Sequence, residues 1–162
     1  MIKKKNKFNR RRQPGMDAVR IEEFRDAALL ELKRAERYRT FLSLLVLNLS
    51  ELLVNISRRK LESPEQIDEL IASAAKRIKL DARETDKISF FEDGRLAMLL
   101  PETDFTGARA AAGRMEDLIS EFLAEFLQCD YQFSVPLEIT SFPGPASDIS
   151  LKSRLKNLIT NN

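Results

Sequence analysis

The sequence predicts an α+β fold: a central, mostly antiparallel sheet flanked by helices. Three observations carry that prediction. The apolar run Phe41–Leu49 (FLSLLVLNL) has strand length and little polar alternation, the pattern of a strand covered on both faces. Two further apolar segments, Lys87–Phe91 and Leu96–Leu100, are joined by Glu92-Asp93-Gly94-Arg95, and Asp-Gly between apolar runs is a strong hairpin signal. Around these strands lie segments whose apolar residues recur at helical spacing.

Taken in order, residues 1–15 predict a basic arm and residues 16–162 one domain. The arm holds Lys3, Lys4, Lys5, Lys7, Arg10, Arg11 and Arg12 and no acid, and Pro14-Gly15 ends it. A short like-charged run buries too little apolar surface to fold, so disorder is expected there. Such an arm suits an anionic partner, although a solubilising tail explains it as well, and nucleic acid is not the expected partner. From Met16 to Arg39, Val19, Ile21, Phe24, Ala27, Ala28, Leu32 and Ala35 predict a helix, with Arg34, Arg37 and Arg39 near its negative end. After the first strand, Ser63-Pro64-Glu65 starts a second helix, with Ile67, Leu70, Ile71, Ala74 and Ile78 as its apolar face. The segment Leu53–Leu61 has no clear period. The hairpin follows, and Pro101 closes its second strand. Thr103 or Asp104 caps a third helix over about 105–127. Tyr131–Phe142 predicts a last strand, with Pro136 placing it at an edge or a bulge. Leu151–Ile159 predicts a short final helix. From the first strand onward this is the β-α-β-β-α-β order of ferredoxin-like sheets.

Composition narrows the chemistry. A length of 162 residues suffices for one core, and 43% hydrophobic residues is ordinary for a globular protein. No apolar run approaches the ~20 residues of a membrane span, and no apolar stretch follows the N-terminal charges as in a secretory signal. The single cysteine, Cys129, excludes an internal disulfide and a cysteine-cluster metal site. Histidine is absent, which removes the commonest general base. A cytoplasmic location is expected. The net charge of +2 conceals an asymmetry: without the seven bases of the arm, 20 bases face 25 acids, a balance of −5. No P-loop, dinucleotide fingerprint or serine-nucleophile motif occurs. Phe90 and Phe91 point to opposite faces of a strand, so at least one belongs to the core. The stripe Phe122, Phe126, Leu127 also reads as core.

The motifs, in order, resemble the GGDEF (diguanylate cyclase) family over about 17–143. Glu31-Leu32-Lys33-Arg34-Ala35-Glu36-Arg37-Tyr38 resembles that family's opening helix, and Leu42–Leu47 its first strand. Arg83-Glu84-Thr85-Asp86 resembles its Arg-x-x-Asp motif. Ala97–Asp104 resembles the strand and turn after the name-giving loop, and Ser141-Phe142-Pro143 the family's last strand end. The family's final helix has only Leu151–Ile159 in its place. The resemblance implies a nucleotidyl-cyclase-like sheet and a bacterial signalling protein.

It also implies where chemistry should sit, and there the sequence departs from the pattern. Diguanylate cyclases join two GTP molecules with magnesium, a hard cation that needs oxygen ligands, above all carboxylates. The family's Asp after the first strand is here Asn48, and a second acid two residues on is Ser50. The Gly-Gly-Asp/Glu-Glu-Phe loop corresponds to Glu92-Asp93-Gly94-Arg95-Leu96, which puts Gly94 at the metal-binding acid and Arg95 at the following Glu. Of the guanine contacts, Asp68 matches. On these substitutions the expectation is a degenerate domain that is not an enzyme, with no metal, no cofactor and Arg95 repelling a dication.

A second site is retained in the resemblance. Many members bind cyclic di-GMP through the Arg-x-x-Asp motif, and Arg83, Asp86 and, on the following helix, Arg114 occupy the matching positions. A guanidinium fork suits phosphate oxygens or guanine O6 and N7, and two arginines balance the ligand's two charges. Alternatively, Arg83 and Asp86 form an exposed ion pair worth well under ~1 kcal/mol. The expectation is therefore a cyclic di-GMP receptor that acts on a protein partner, with a stacked ligand pair linking a homodimer. The alternative is a protein–protein interaction domain that binds no nucleotide.

Overall fold

The computed structural model describes residues 21–49, 64–91, 94–128, 134–144 and 150–160. The basic arm, the segment Leu53–Leu61, and Cys129 lie outside them, as does the first part of the expected last strand. Helix α1 (Ile21–Tyr38) precedes β1 (Leu42–Asn48), and α2 (Pro64–Asp81) leads to β2 (Lys87–Phe90) and β3 (Arg95–Pro101). Helix α3 (Phe105–Leu127), β4 (Leu137–Phe142) and α4 (Leu151–Thr160) complete the order. Among the described residues, the predicted succession of elements holds. No described helix is long and apolar enough to cross a membrane.

The strands form one sheet in the order β2-β3-β1-β4, with every neighbouring pair antiparallel. Each helical crossover skips one strand. The β1–α2–β2 connection leaves a place for β3, and β3–α3–β4 leaves a place for β1. This is the ferredoxin-like split β-α-β arrangement, doubled. Because β1 is central, all of Leu42–Leu47 is buried, Ser43 included, as its apolar run with little polar alternation predicts.

Alternation along the strands divides the core into two faces. Leu45, Leu47, Leu96, Met98 and Leu100 point to one face, covered by Leu70 and Ile78 of α2 and by Ala108, Met115, Ile119 and Leu123 of α3. Leu42, Leu44, Val46, Ala97 and Leu99 point to the other, covered by Phe24, Ala28 and Leu32 of α1 and by Leu151, Leu155 and Leu158 of α4. Among the described residues the result is three layers: two helices, the sheet, two helices. Phe90 packs with the first face and Phe91 with the second, so both phenylalanines are core.

Local chemistry sets the element ends. Asp104 caps α3, its Oδ1 accepting from the Gly107 N–H at 2.7 Å. Strand β4 is at a sheet edge, one of the two placements expected from Pro136, which here immediately precedes the strand, and the Pro136 carbonyl accepts from the Asn48 N–H at 3.0 Å. The Phe142–Pro143 peptide is cis.

Candidate functional site

Two groups of predicted site residues can be placed. The first is at the end of β1. Asn48 is the last residue of that strand and lies directly opposite Arg95, the first of β3. The hairpin register, with Phe90 opposite Leu96, leaves a loop of three residues, 92 to 94. Its ends are tied by Phe91 N–H to the Arg95 carbonyl at 2.8 Å and by Gly94 N–H to the Phe91 carbonyl at 3.0 Å. Gly94 has φ 85°, the left-handed position that a three-residue hairpin reserves for glycine. The Leu49 N–H donates to the Gly94 carbonyl at 3.1 Å, which joins the turn to the chain leaving β1. Asn48, Gly94 and Arg95 are thus brought together. Ser50, Glu92 and Asp93 lie outside the described residues. No three described acidic or cysteine side chains gather into a metal-binding set.

Arg95 does not point where its place in the motif suggests. Alternation along β3 puts its side chain on the α1/α4 face. There Nη2 donates to the Leu158 carbonyl at 3.2 Å, and Cζ stands 5.3 Å from the centroid of the Phe91 ring. A cation over an aromatic face and beside a helix-terminal carbonyl is favourably placed. That role was not legible in the sequence, because only the packed position of α4 supplies the carbonyl.

The second group follows α2. The Asp86 Oδ2 accepts from the Arg83 backbone N–H at 2.9 Å, and the Asp86 N–H donates to the Arg83 carbonyl at 3.0 Å. The acid therefore closes a local turn between α2 and β2. Asp86 is half-buried and Arg83 exposed. Arg114 is exposed on α3, the helix that packs with α2 on the same face of the sheet. The side chain of Asp68 lies outside the described set.

Solved structures share this fold. The chain is similar to the active GGEEF domain of a diguanylate cyclase from Vibrio cholerae, with a TM-score of 0.61 at 14% identity over 80% of this chain and 78% of that one. It is similar to the diguanylate cyclase SiaD of Pseudomonas aeruginosa, solved in complex with its activator SiaC, with a TM-score of 0.62 at 16% identity. That match covers 84% of this chain but only 50% of SiaD. The GGDEF domain of DgcB from Caulobacter crescentus, solved in complex with c-di-GMP, gives a TM-score of 0.59 at 15% identity over 82% of this chain and 79% of that one. No protein-family model and no curated protein matches the chain.

These likenesses correct one expectation. The substitutions at Asn48, Ser50, Gly94 and Arg95 led to the expectation that the chain is not an enzyme, yet its fold is that of an active cyclase domain. Arg95, expected to repel a dication, turns its guanidinium to Leu158 and Phe91 instead. Glu92 and Asp93, the acids that precede Gly94 in the sequence, lie outside the described residues. In fold, the chain is a GGDEF-like domain.

Proposed function

We propose that this domain is a signalling module that binds cyclic di-GMP through Arg83, Asp86 and Arg114. The observation that carries the reading is the turn at 83–86. Its carboxylate is held by the Arg83 backbone N–H, so that bond leaves the Arg83 guanidinium uncommitted and the side chain exposed. A bare ion pair between the two side chains would have the opposite consequence. A guanidinium presented from an ordered turn suits a phosphate or the O6/N7 edge of guanine. Asp86 retains acceptor capacity for guanine N–H groups. The GGDEF domain of DgcB, solved with c-di-GMP, supports a ligand of this class on this fold. Two arginines would balance the two ligand charges, and a stacked ligand pair would link two copies of the chain, so dimerisation should rise with ligand.

Titration calorimetry with cyclic di-GMP tests the reading. Wild type should bind in the micromolar range or tighter, and Arg83→Ala and Arg114→Ala should each weaken binding at least about tenfold, the scale of one lost charge-assisted contact. Absence of heat and of a thermal shift with wild type at micromolar ligand sinks the proposal. A second reading, a domain that engages only a protein, draws support from SiaD being solved with a protein activator. It also draws support from Leu80, 76% exposed beside this turn. Loss of partner capture in Leu80→Asp, with no ligand heat in wild type, would favour it.

A further inference from the structure

Arg95 connects parts of the molecule that the chain order keeps apart. Helix α4 is ten residues long and carries no basic residue in its last turn. A helix this short is marginal in isolation, and its last four carbonyls have no partner within the helix. One of these, at Leu158, receives Arg95 from the start of β3. The helix thus borrows its C-terminal cation from the hairpin. The same guanidinium lies over Phe91, the residue that closes the turn from the other side. Phe91 in turn meets Phe24 of α1 edge-on, with ring centroids 6.4 Å apart. On the opposite side, the turn's Gly94 carbonyl holds the Leu49 N–H at the end of β1. A continuous path of contacts therefore runs from the C-terminus of α4, through Arg95 and the turn, to the strand end that carries Asn48.

We propose that α4 is a latch on the hairpin turn, with Arg95 as the positioning residue that couples the two. While α4 is docked by Leu151, Leu155 and Leu158, its C-terminal carbonyl holds Arg95 against Phe91, and the turn from Phe91 to Arg95 stays closed onto Leu49. Lifting α4 removes the Leu158 carbonyl from Arg95 and uncovers the Phe91 ring, and the turn loosens. Coupling of this kind is reciprocal: an event that displaces the turn destabilises the docking of α4 to the same degree. Any partner that takes the apolar stripe of α4 would thereby reach the end of β1 without touching it.

Amide hydrogen exchange on the full chain tests this. In Leu155→Ala, which perturbs α4 and leaves the residues of the turn unchanged, the Leu49 and Gly94 amides should exchange about tenfold or more faster, together with the α4 amides. The ladder between Leu44 and Leu99 should keep its protection. Arg95→Met keeps the aliphatic stem on Phe91 and loses the donor. It should produce the same joint loss, and it decides the matter if Leu155→Ala fails to fold. If α4 loses protection in either folded variant while Leu49 and Gly94 keep theirs, the coupling is refuted. It is equally refuted if Arg95→Met changes neither region.

Discussion

Arg39, Glu102 and Gln128 adopt left-handed backbone conformations without being glycine, with φ of 53°, 52° and 50°. Each ends or joins an element. Arg39 follows α1, and the Thr40 N–H reaches back to the Ala35 carbonyl at 3.1 Å, a helix ending in which glycine is the usual residue. For a residue with a Cβ the left-handed region costs about 1 kcal/mol. Arg39→Gly should therefore raise stability, by about 0.5 kcal/mol once glycine's larger unfolded-state entropy is subtracted. Gly94 presents the reverse case, since φ 85° is already occupied by the residue best suited to it. Gly94→Ala should lower stability by about 1–2 kcal/mol. Urea denaturation of the two variants reads both signs, and a stabilised Gly94→Ala would show that the turn is not held as described.

Among the elements, β1 and β4 are joined by more than their ladder. Ser43 and Ser141 face each other across the pair, with oxygens 2.7 Å apart, and the Ser43 hydroxyl also donates to the Thr103 carbonyl at 2.8 Å. A hydroxyl has one proton, so Ser43 spends its own on Thr103 and Ser141 must be the donor between the two serines. The roles are therefore unequal. Ser43→Ala strands the Ser141 proton and the Thr103 carbonyl together, at a cost of about 2–3 kcal/mol, whereas Ser141→Ala removes one bond at about 1 kcal/mol. Denaturation midpoints should rank the variants in that order. Equal losses would contradict the proton assignment. The connection matters for α3, because Thr103 immediately precedes its cap, Asp104.

At the scale of the whole molecule, two core faces share one sheet. Leu44 packs under α1 and α4, while its neighbour Leu45 packs under α2 and α3, and both are fully buried. Leu44→Ala and Leu45→Ala should each cost about 2–5 kcal/mol. Both should unfold in a single transition, because neither helical layer keeps its apolar stripe covered once the sheet is lost. Thermal unfolding followed by near- and far-ultraviolet circular dichroism checks this. Separate transitions would mean that one layer survives the other. The same sharing lets α4, on one face, act on the hairpin and through it on the end of β1.

The sequence by itself determined the element order, the central place of β1, the hairpin and the two-faced core. Each follows from a local signal: an apolar run interrupted only by Ser43, Asp-Gly between strands, and helical spacing. It also carried the juxtaposition of Asn48 with Gly94 and Arg95, because that follows from strand order once the fold is known. Tertiary structure alone decided what those residues do. The direction of Arg95 and the proton shared between Ser43 and Ser141 depend on partners 63 and 98 residues away. Side-chain alternation sets the face to which a residue points. Which carbonyl or ring awaits it there depends on how the helices pack, and no local pattern encodes that.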